Sequence, residues 1–118
     1  MNASFSFDAL WAKSKVFIDR GLVARDDGDD GDFHLWAAVS LELLAKARLA
    51  KIHPALVADP NDQKSLLYAC GAGSPVQIRS ISAKTVYERL SAIDPKFDKQ
   101  TKDFCMTMAN RRNAELHS

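Results

Sequence analysis

"DFHLWAAVSLELLAKARLAKIH", residues 32–53, is the stretch that decides the fold class. It contains neither Gly nor Pro and is rich in Ala, Leu and Lys, which are favourable residues in a helix. Its apolar side chains recur every three or four positions and share one helix face, formed by Trp36, Val39, Leu43, Leu44, Ala47 and Ala50. The pattern predicts one long amphipathic helix, with Asp32 as its N-cap and Pro54 just beyond its end.

A second amphipathic pattern precedes this stretch. Residues 7–25 repeat apolar or small side chains at the same spacing, and Ser6 stands where an N-cap is expected. Between the two segments lies "RDDGDDGDF", which is interpreted as a solvated linker. It does not form an EF-hand calcium loop, because counting from Asp26 places Ala37 where the loop needs its twelfth-position glutamate. Two long helices joined by a short linker predict an antiparallel hairpin.

Two shorter helices are predicted after Pro54. Asp59 and Pro60 give an N-cap followed by a proline at the first helical position, and Gly71 and Gly73 end that helix about ten residues later. Residues 74–80, "SPVQIRS", are predicted to form a loop. Residues 82–93, "SAKTVYERLSAI", are predicted to form a short helix whose apolar side is Val86, Tyr87, Leu90 and Ile93.

The last helix is predicted to begin at Asp94 and Pro95, where the cap-then-proline signal recurs. Its apolar stripe is Phe97, Thr101, Phe104, Cys105 and Met108. No alternating strand pattern competes with these helices. The sequence therefore predicts an all-α, up-and-down bundle of about five helices in a single domain that spans residues 1–118.

Composition narrows the class of protein. Hydrophobic residues make up 47% of the 118 residues, which is enough for a core, and the formal net charge is +1. The two cysteines form no CxxC pair, so neither a zinc site nor a disulfide framework is predicted. No apolar run is long enough for a membrane span, and the first residues lack the features of a signal peptide. The sequence predicts a cytoplasmic protein without metal or cofactor.

The sequence ends in "RRNAELHS", residues 111–118. If the last helix continues through it, Asn113 and His117 lie one turn apart on one face. Arg112 is suited to binding phosphate, and His117, with an ordinary pKa of roughly 6.5, can move a proton near neutral pH. Together they suit phosphodiester chemistry. The simpler interpretation is a charged helix C-terminus, where Arg and His interact favourably with the helix dipole.

Glu42, in the middle of the long helix, also has two interpretations. Lys46 follows four residues later, so the two can form an ordinary exposed ion pair worth a few tenths of a kcal/mol. Alternatively, Glu42 leans inward and orients an arginine of the last helix.

A resemblance bears on this choice. Residues 112–117, "RNAELH", resemble the R-[polar]-x-x-x-H signature of the HEPN superfamily, and the "AAVSLELLAKARLA" helix with its embedded glutamate resembles the second HEPN helix. HEPN domains are all-α bundles, typically dimeric, and usually continue with a further helix after the histidine. The resemblance therefore implies one of two arrangements. Either residues 1–118 are the N-terminal part of a longer protein and lack the final helix of the domain, or the domain is naturally short.

The resemblance implies a metal-independent endoribonuclease, acting as a homodimer whose two motifs meet in one cleft. In that reading Arg112 binds the scissile phosphate, His117 is the general base or acid, and Asn113 positions one of them. Glu42 orients Arg112. Arg111 and Lys102 are predicted to contact RNA. The implied settings are toxin–antitoxin and anti-phage defence systems, with an antitoxin or further domains of a longer chain as partners.

Two other functions remain open at this stage. The chain can be a catalytically silent HEPN module for dimerisation or for binding RNA or nucleotide. It can also be a plain helical interaction domain within a larger enzyme.

Overall fold

The computed structural model describes residues 3–117, with side chains described for residues 4–114. This range contains five α-helices and no β-strand, which confirms the all-α class. The helices are α1 (Phe7–Asp26), α2 (Asp30–Ile52), α3 (Gln63–Ala69), α4 (Ala83–Ile93) and α5 (Lys99–His117), with short 3-10 turns at Ala3–Phe5 and Pro54–Leu56. Within the same range, no helix is both long enough and apolar enough to cross a membrane.

Helices α1 and α2 form the predicted antiparallel hairpin. Ser6 caps α1 as expected, with its hydroxyl accepting a hydrogen bond from the Ala9 amide at 3.2 Å. Moving towards the turn, Ser40 Oγ donates to the Ser14 carbonyl at 2.7 Å, and the Phe17 and Trp36 rings stack 5.3 Å apart. These pairs run in opposite order along the two helices, so the chain reverses direction between them.

Helix α2 begins three residues earlier than the sequence pattern indicates. Its N-cap is Asp29, whose carboxylate accepts from the Asp32 amide at 3.0 Å, so the prediction of Asp32 as the cap is wrong. The carboxylates of Asp30 and Asp32 then lie in the first turn, where the helix dipole favours negative charge. The helix ends at Ile52, just before Pro54 as predicted.

Helix α3 begins later than its cap-then-proline signal. Asp59 and Pro60 form a turn instead, with the Asp59 carbonyl accepting from the Asp62 amide at 3.1 Å. The helix starts at Gln63 and spans 7 residues, because Gly71, at φ +85°, reverses the chain soon after. Asp59 is therefore not the N-cap.

Helix α5 shows the same displacement. Asp94 is the C-cap of α4, and its side chain accepts from the Lys96 amide at 2.9 Å in a local turn. Asp98 provides the carboxylate at the start of α5, accepting from the Thr101 amide at 2.8 Å. The hydrogen bonds that Asp98 accepts, first of all from Thr101, lower its pKa. The prediction that α5 begins at Asp94 and Pro95 is wrong by about one turn.

The core lies where α2, α4 and α5 meet. The largest side chains with almost no exposed surface are Tyr87, Leu49, Val57 and Val86. Helix α5 contributes Cys105 and Ala109, both buried. Four members of the predicted apolar stripes are exposed: Thr101, and three larger side chains with exposed fractions of 41% for Leu44, 47% for Ile93 and 61% for Phe104.

Candidate functional site

Helix α5 brings Arg112 against the middle of α2. Cys105, Ala109 and Arg112 are spaced by four and three residues, so they share one face, and the first two are buried in the core. Arg112 continues that face with a side chain only 18% exposed. Its NH1 donates to Glu42 Oε1 at 2.7 Å. The inward orientation of Glu42, one of the two interpretations of the sequence, is therefore present.

Glu42 also pairs with Lys46, but the pair is not exposed. Lys46 Nζ donates to Glu42 Oε2 at 2.9 Å, and the two side chains are 8% and 15% exposed respectively. Each carboxylate oxygen of Glu42 thus has its own cationic partner. The interpretation of Glu42 and Lys46 as an ordinary exposed pair is therefore wrong about exposure, because α5 and the segment before α4 cover this side of α2.

The segment before α4 holds Lys46 from the other side. Lys46 Nζ donates a second hydrogen bond to Ser80 Oγ at 2.9 Å. Ser80 lies in a short antiparallel bridge with Ala58, next to hydrogen bonds from the Asp59 amide to the Arg79 carbonyl and from the Ile81 amide to the Val57 carbonyl, each at 2.9 Å. Backbone pairing therefore fixes the hydroxyl that receives Lys46.

The charges of this cluster favour an ionised carboxylate. Burial by itself raises the pKa of Glu42, but the charge and hydrogen bond of Lys46, followed by those of Arg112, lower it below its usual value overall. The three side chains then carry two positive charges and one negative charge. The cluster has a net positive charge in a mostly buried setting, where electrostatic interactions are stronger than in water.

Two core groups beside the cluster stay protonated at neutral pH. Burial first, then the charges of Cys105 and Glu42, raise the pKa of the Tyr87 hydroxyl, with Arg112 acting in the opposite direction. Burial also raises the pKa of the Cys105 thiol. Cys105 is therefore not an activated thiolate.

A cavity opens beside Arg112. Its volume is about 270 Å³, and its polar lining comprises Glu42, Ser82, Lys84, Asn110, Arg112 and Asn113. Arg112 NH2 donates to Asn113 Oδ1 at 3.4 Å, which is longer than a typical N–H···O hydrogen bond. Arg112 Nε is buried and has no hydrogen-bond partner among the described side chains. Part of the guanidinium is therefore weakly engaged beside a cavity that carries a second cation, Lys84.

The other predicted site residues are not all at this cavity. Asn113 is exposed and lines it, whereas Arg111 and Lys102 are absent from its described lining. Helix α5 extends through His117, which places positions 113 and 117 one turn apart. The side chain of His117 lies outside the described residues, so its prediction as the proton-transfer group stays a prediction.

Sequence reasoning missed five contributors: Lys46 as a buried residue, Ser80 as its partner, and Ser82, Lys84 and Asn110 in the cavity lining. A signal existed for Lys46, because positions 39, 43, 46 and 50 are spaced by four, three and four and so form one helix face. Asn110 and Asn113 also have helix-face spacing. Lys84 comes from α4, and only the tertiary packing brings it to the site.

Comparisons with known proteins neither support nor contradict the resemblance to HEPN domains. No protein-family model matches the sequence, and no match is found among curated proteins or solved structures. The resemblance to HEPN domains therefore continues to rest on residues 112–117 and on the helix that carries Glu42.

Proposed function

We propose that this protein is a metal-independent endoribonuclease of HEPN type, which cleaves RNA through its own 2′-hydroxyl. The observation that carries the proposal is the largely buried contact between Arg112 and Glu42, whose N–O distance is 2.7 Å. A carboxylate oxygen that fixes one nitrogen of a guanidinium pre-organises the remaining donors for a phosphate. The adjacent cavity and the cation at Lys84 support a negatively charged ligand.

In the proposed reaction, Arg112 binds the non-bridging oxygens of the scissile phosphate. The His117 imidazole removes the proton of the neighbouring 2′-hydroxyl, and the 2′-oxygen attacks phosphorus. The bond between phosphorus and the 5′-oxygen breaks, and the leaving oxygen takes a proton from a second imidazole. The products are a 2′,3′-cyclic phosphate end and a 5′-hydroxyl end. Asn113 positions His117 or the phosphate.

The second imidazole is proposed to come from a second copy of the chain, so that two motifs form one cleft. An exposed apolar surface, to which α5 contributes, supports association of two copies. Trp11, Leu44 and Phe104 are 41%, 41% and 61% exposed and line a groove of about 550 Å³ between α1, α2 and α5. Exposed apolar surface of this kind is typical of interaction sites.

The proposed setting follows the same resemblance. The enzyme would act on cytoplasmic RNA in a toxin–antitoxin or anti-phage system, and an antitoxin or further domains of a longer chain would control it. Arg111 and Lys102 are proposed to contact RNA outside the cavity. Their positive charges would add a salt-dependent contribution to affinity.

A second candidate is a catalytically silent module that binds RNA or nucleotide. Among the described side chains that line the cavity are two cations, two amides, a hydroxyl and the Glu42 carboxylate, but no imidazole. Such a lining is sufficient to bind a phosphate group of RNA without cleaving the RNA. The role of His117 separates this candidate from the ribonuclease.

Cleavage of a mixed-sequence RNA in EDTA is the decisive experiment. We expect cyclic phosphate ends, and a loss of at least about 100-fold in rate for both Arg112→Ala and His117→Ala. Arg25→Ala is the matched control, because this arginine is exposed on α1 far along the chain from the motif. Sedimentation should show a dimer for the active protein.

Other results would contradict one or both candidates. Cleavage that survives His117→Ala would rule out the assigned mechanism. RNA binding with a steep dependence on salt, without any cleavage, would establish the silent module instead. Absence of both would contradict both functions.

A further inference from the structure

We propose that Lys46 is a positioning residue of this site: by holding one oxygen of Glu42, it keeps part of Arg112 available for a phosphate. The inference rests on the proposed function only in assuming that Arg112 binds a phosphate group. Lys46 itself does not line the cavity and would not touch the ligand. It would act through Glu42.

The first argument is that the two carboxylate oxygens of Glu42 have different partners. A glutamate and an arginine commonly pair through two parallel hydrogen bonds, which occupy one whole edge of the guanidinium. Here Glu42 Oε1 accepts from Arg112 NH1 at 2.7 Å, while Oε2 accepts from Lys46 Nζ at 2.9 Å. Lys46 therefore competes for the second oxygen. Arg112 is oriented by Glu42 but is not paired with it through both oxygens.

The second argument is that Lys46 is fixed in this competing position. Its ammonium donates to Ser80 Oγ at 2.9 Å, and Ser80 is held by the backbone bridge with Ala58. The Lys46 side chain is 8% exposed, so water offers little alternative solvation. Its contact with Glu42 is thus determined by the fold around it, unlike a surface lysine that can leave its partner.

The third argument is charge. With Lys46 present, the cluster of Glu42, Lys46 and Arg112 has one positive charge in excess. Without it, Glu42 and Arg112 form a neutral pair, and Glu42 is free to take a second hydrogen bond from Arg112. Both changes would weaken attraction for an anion, and the effect is large where solvent screening is low.

Inorganic phosphate is a suitable probe, observed through the NMR signal of the Arg112 Nε–H group. This group is buried, so its proton exchanges slowly with water, and Arg112→Lys identifies the signal by removing it. We expect phosphate to move the signal in the native protein. Lys46→Met should raise the midpoint phosphate concentration about tenfold.

The double variant Glu42→Gln with Lys46→Met tests the proposed route. It removes the carboxylate that would otherwise occupy Arg112, so we expect its midpoint to return to within about threefold of the native value. A lysine with a purely structural role would leave the double variant at least as impaired as Lys46→Met. Lys13→Met, at an exposed lysine on α1, is the matched control and should leave the midpoint unchanged.

Three results would overturn the inference: an unchanged midpoint in Lys46→Met, a double variant as weak as Lys46→Met, or no response of Arg112 to phosphate in the native protein. If Lys46→Met alone does not fold, the double variant is compared with the native protein instead. A midpoint phosphate concentration about tenfold higher in the double variant would then contradict the inference. The expected phosphate results without RNA cleavage would leave the inference standing and reject only the ribonuclease.

Discussion

Two ion pairs with the same sequence spacing lie in very different surroundings. Glu42 and Lys46 in α2 are four residues apart and joined at 2.9 Å, with side chains 15% and 8% exposed. Lys99 and Asp103 in α5 are also four residues apart and joined at 3.1 Å, but they are 90% and 61% exposed. Spacing and distance hardly distinguish the two pairs. Their energetic roles differ because water surrounds one pair and protein surrounds the other.

The largest expected difference is in stability. Glu42→Ala leaves Lys46 and Arg112 without their shared carboxylate, and loss of one partner of a buried ion pair costs about 3–5 kcal/mol. Asp103→Ala is the matched control on the exposed pair and should cost less than about 0.5 kcal/mol. Urea denaturation of both variants measures the two changes in unfolding free energy. Equal losses would show that burial does not separate these pairs.

Acid should remove part of the Glu42 contribution. Because the pKa of Glu42 in the folded protein is below its ordinary value of 4.5, the folded state favours the ionised carboxylate. This contribution is complete above about pH 4.5 and is lost as pH falls through the lower pKa of the folded protein. The difference in unfolding free energy between the native protein and Glu42→Gln should therefore shrink from pH 7 to pH 3. A constant difference over that range would contradict the assigned ionisation.

The smallest expected effect is at the exposed pair. Lys99→Ala should lower the unfolding free energy by no more than about 0.5 kcal/mol at low salt. In 1 M NaCl the Debye length is about 3 Å, so this difference should disappear. Chemical denaturation at two salt concentrations measures it. A loss that persists at high salt would mean that Lys99 contributes by packing and not by charge.

Helix starts show what local sequence signals can predict. Ser6 was identified correctly because only one capping residue precedes α1 at the right place. The two cap-then-proline signals failed for a shared reason. In "DPND" and "DPKFD" the first aspartate closes a turn around the proline, and the second aspartate, Asp62 or Asp98, immediately precedes the helix. A second aspartate about one turn later is thus the better indicator of these two helix starts.

The residues of the site also divide into those that the sequence could indicate and those that it could not. Glu42 and Arg112 could be singled out from residue type, spacing and resemblance, although 70 positions separate them. The burial of Lys46 could have been read from its place on the apolar face, where the charge of lysine suggested exposure instead. The roles of Ser80 and Lys84 could not, because they depend on a non-local backbone bridge and on where α4 packs. Local periodicity carries no information about such contacts.

The shared carboxylate also has a consequence for how this sequence can diverge. Replacing Glu42 alone leaves two cations without their shared carboxylate, and replacing Lys46 or Arg112 alone removes the partner of one Glu42 oxygen. Substitutions at positions 42, 46 and 112 are therefore acceptable mainly in combination. Among homologous chains, these three positions should change together, and their joint pattern would mark which descendants keep a positively charged cavity.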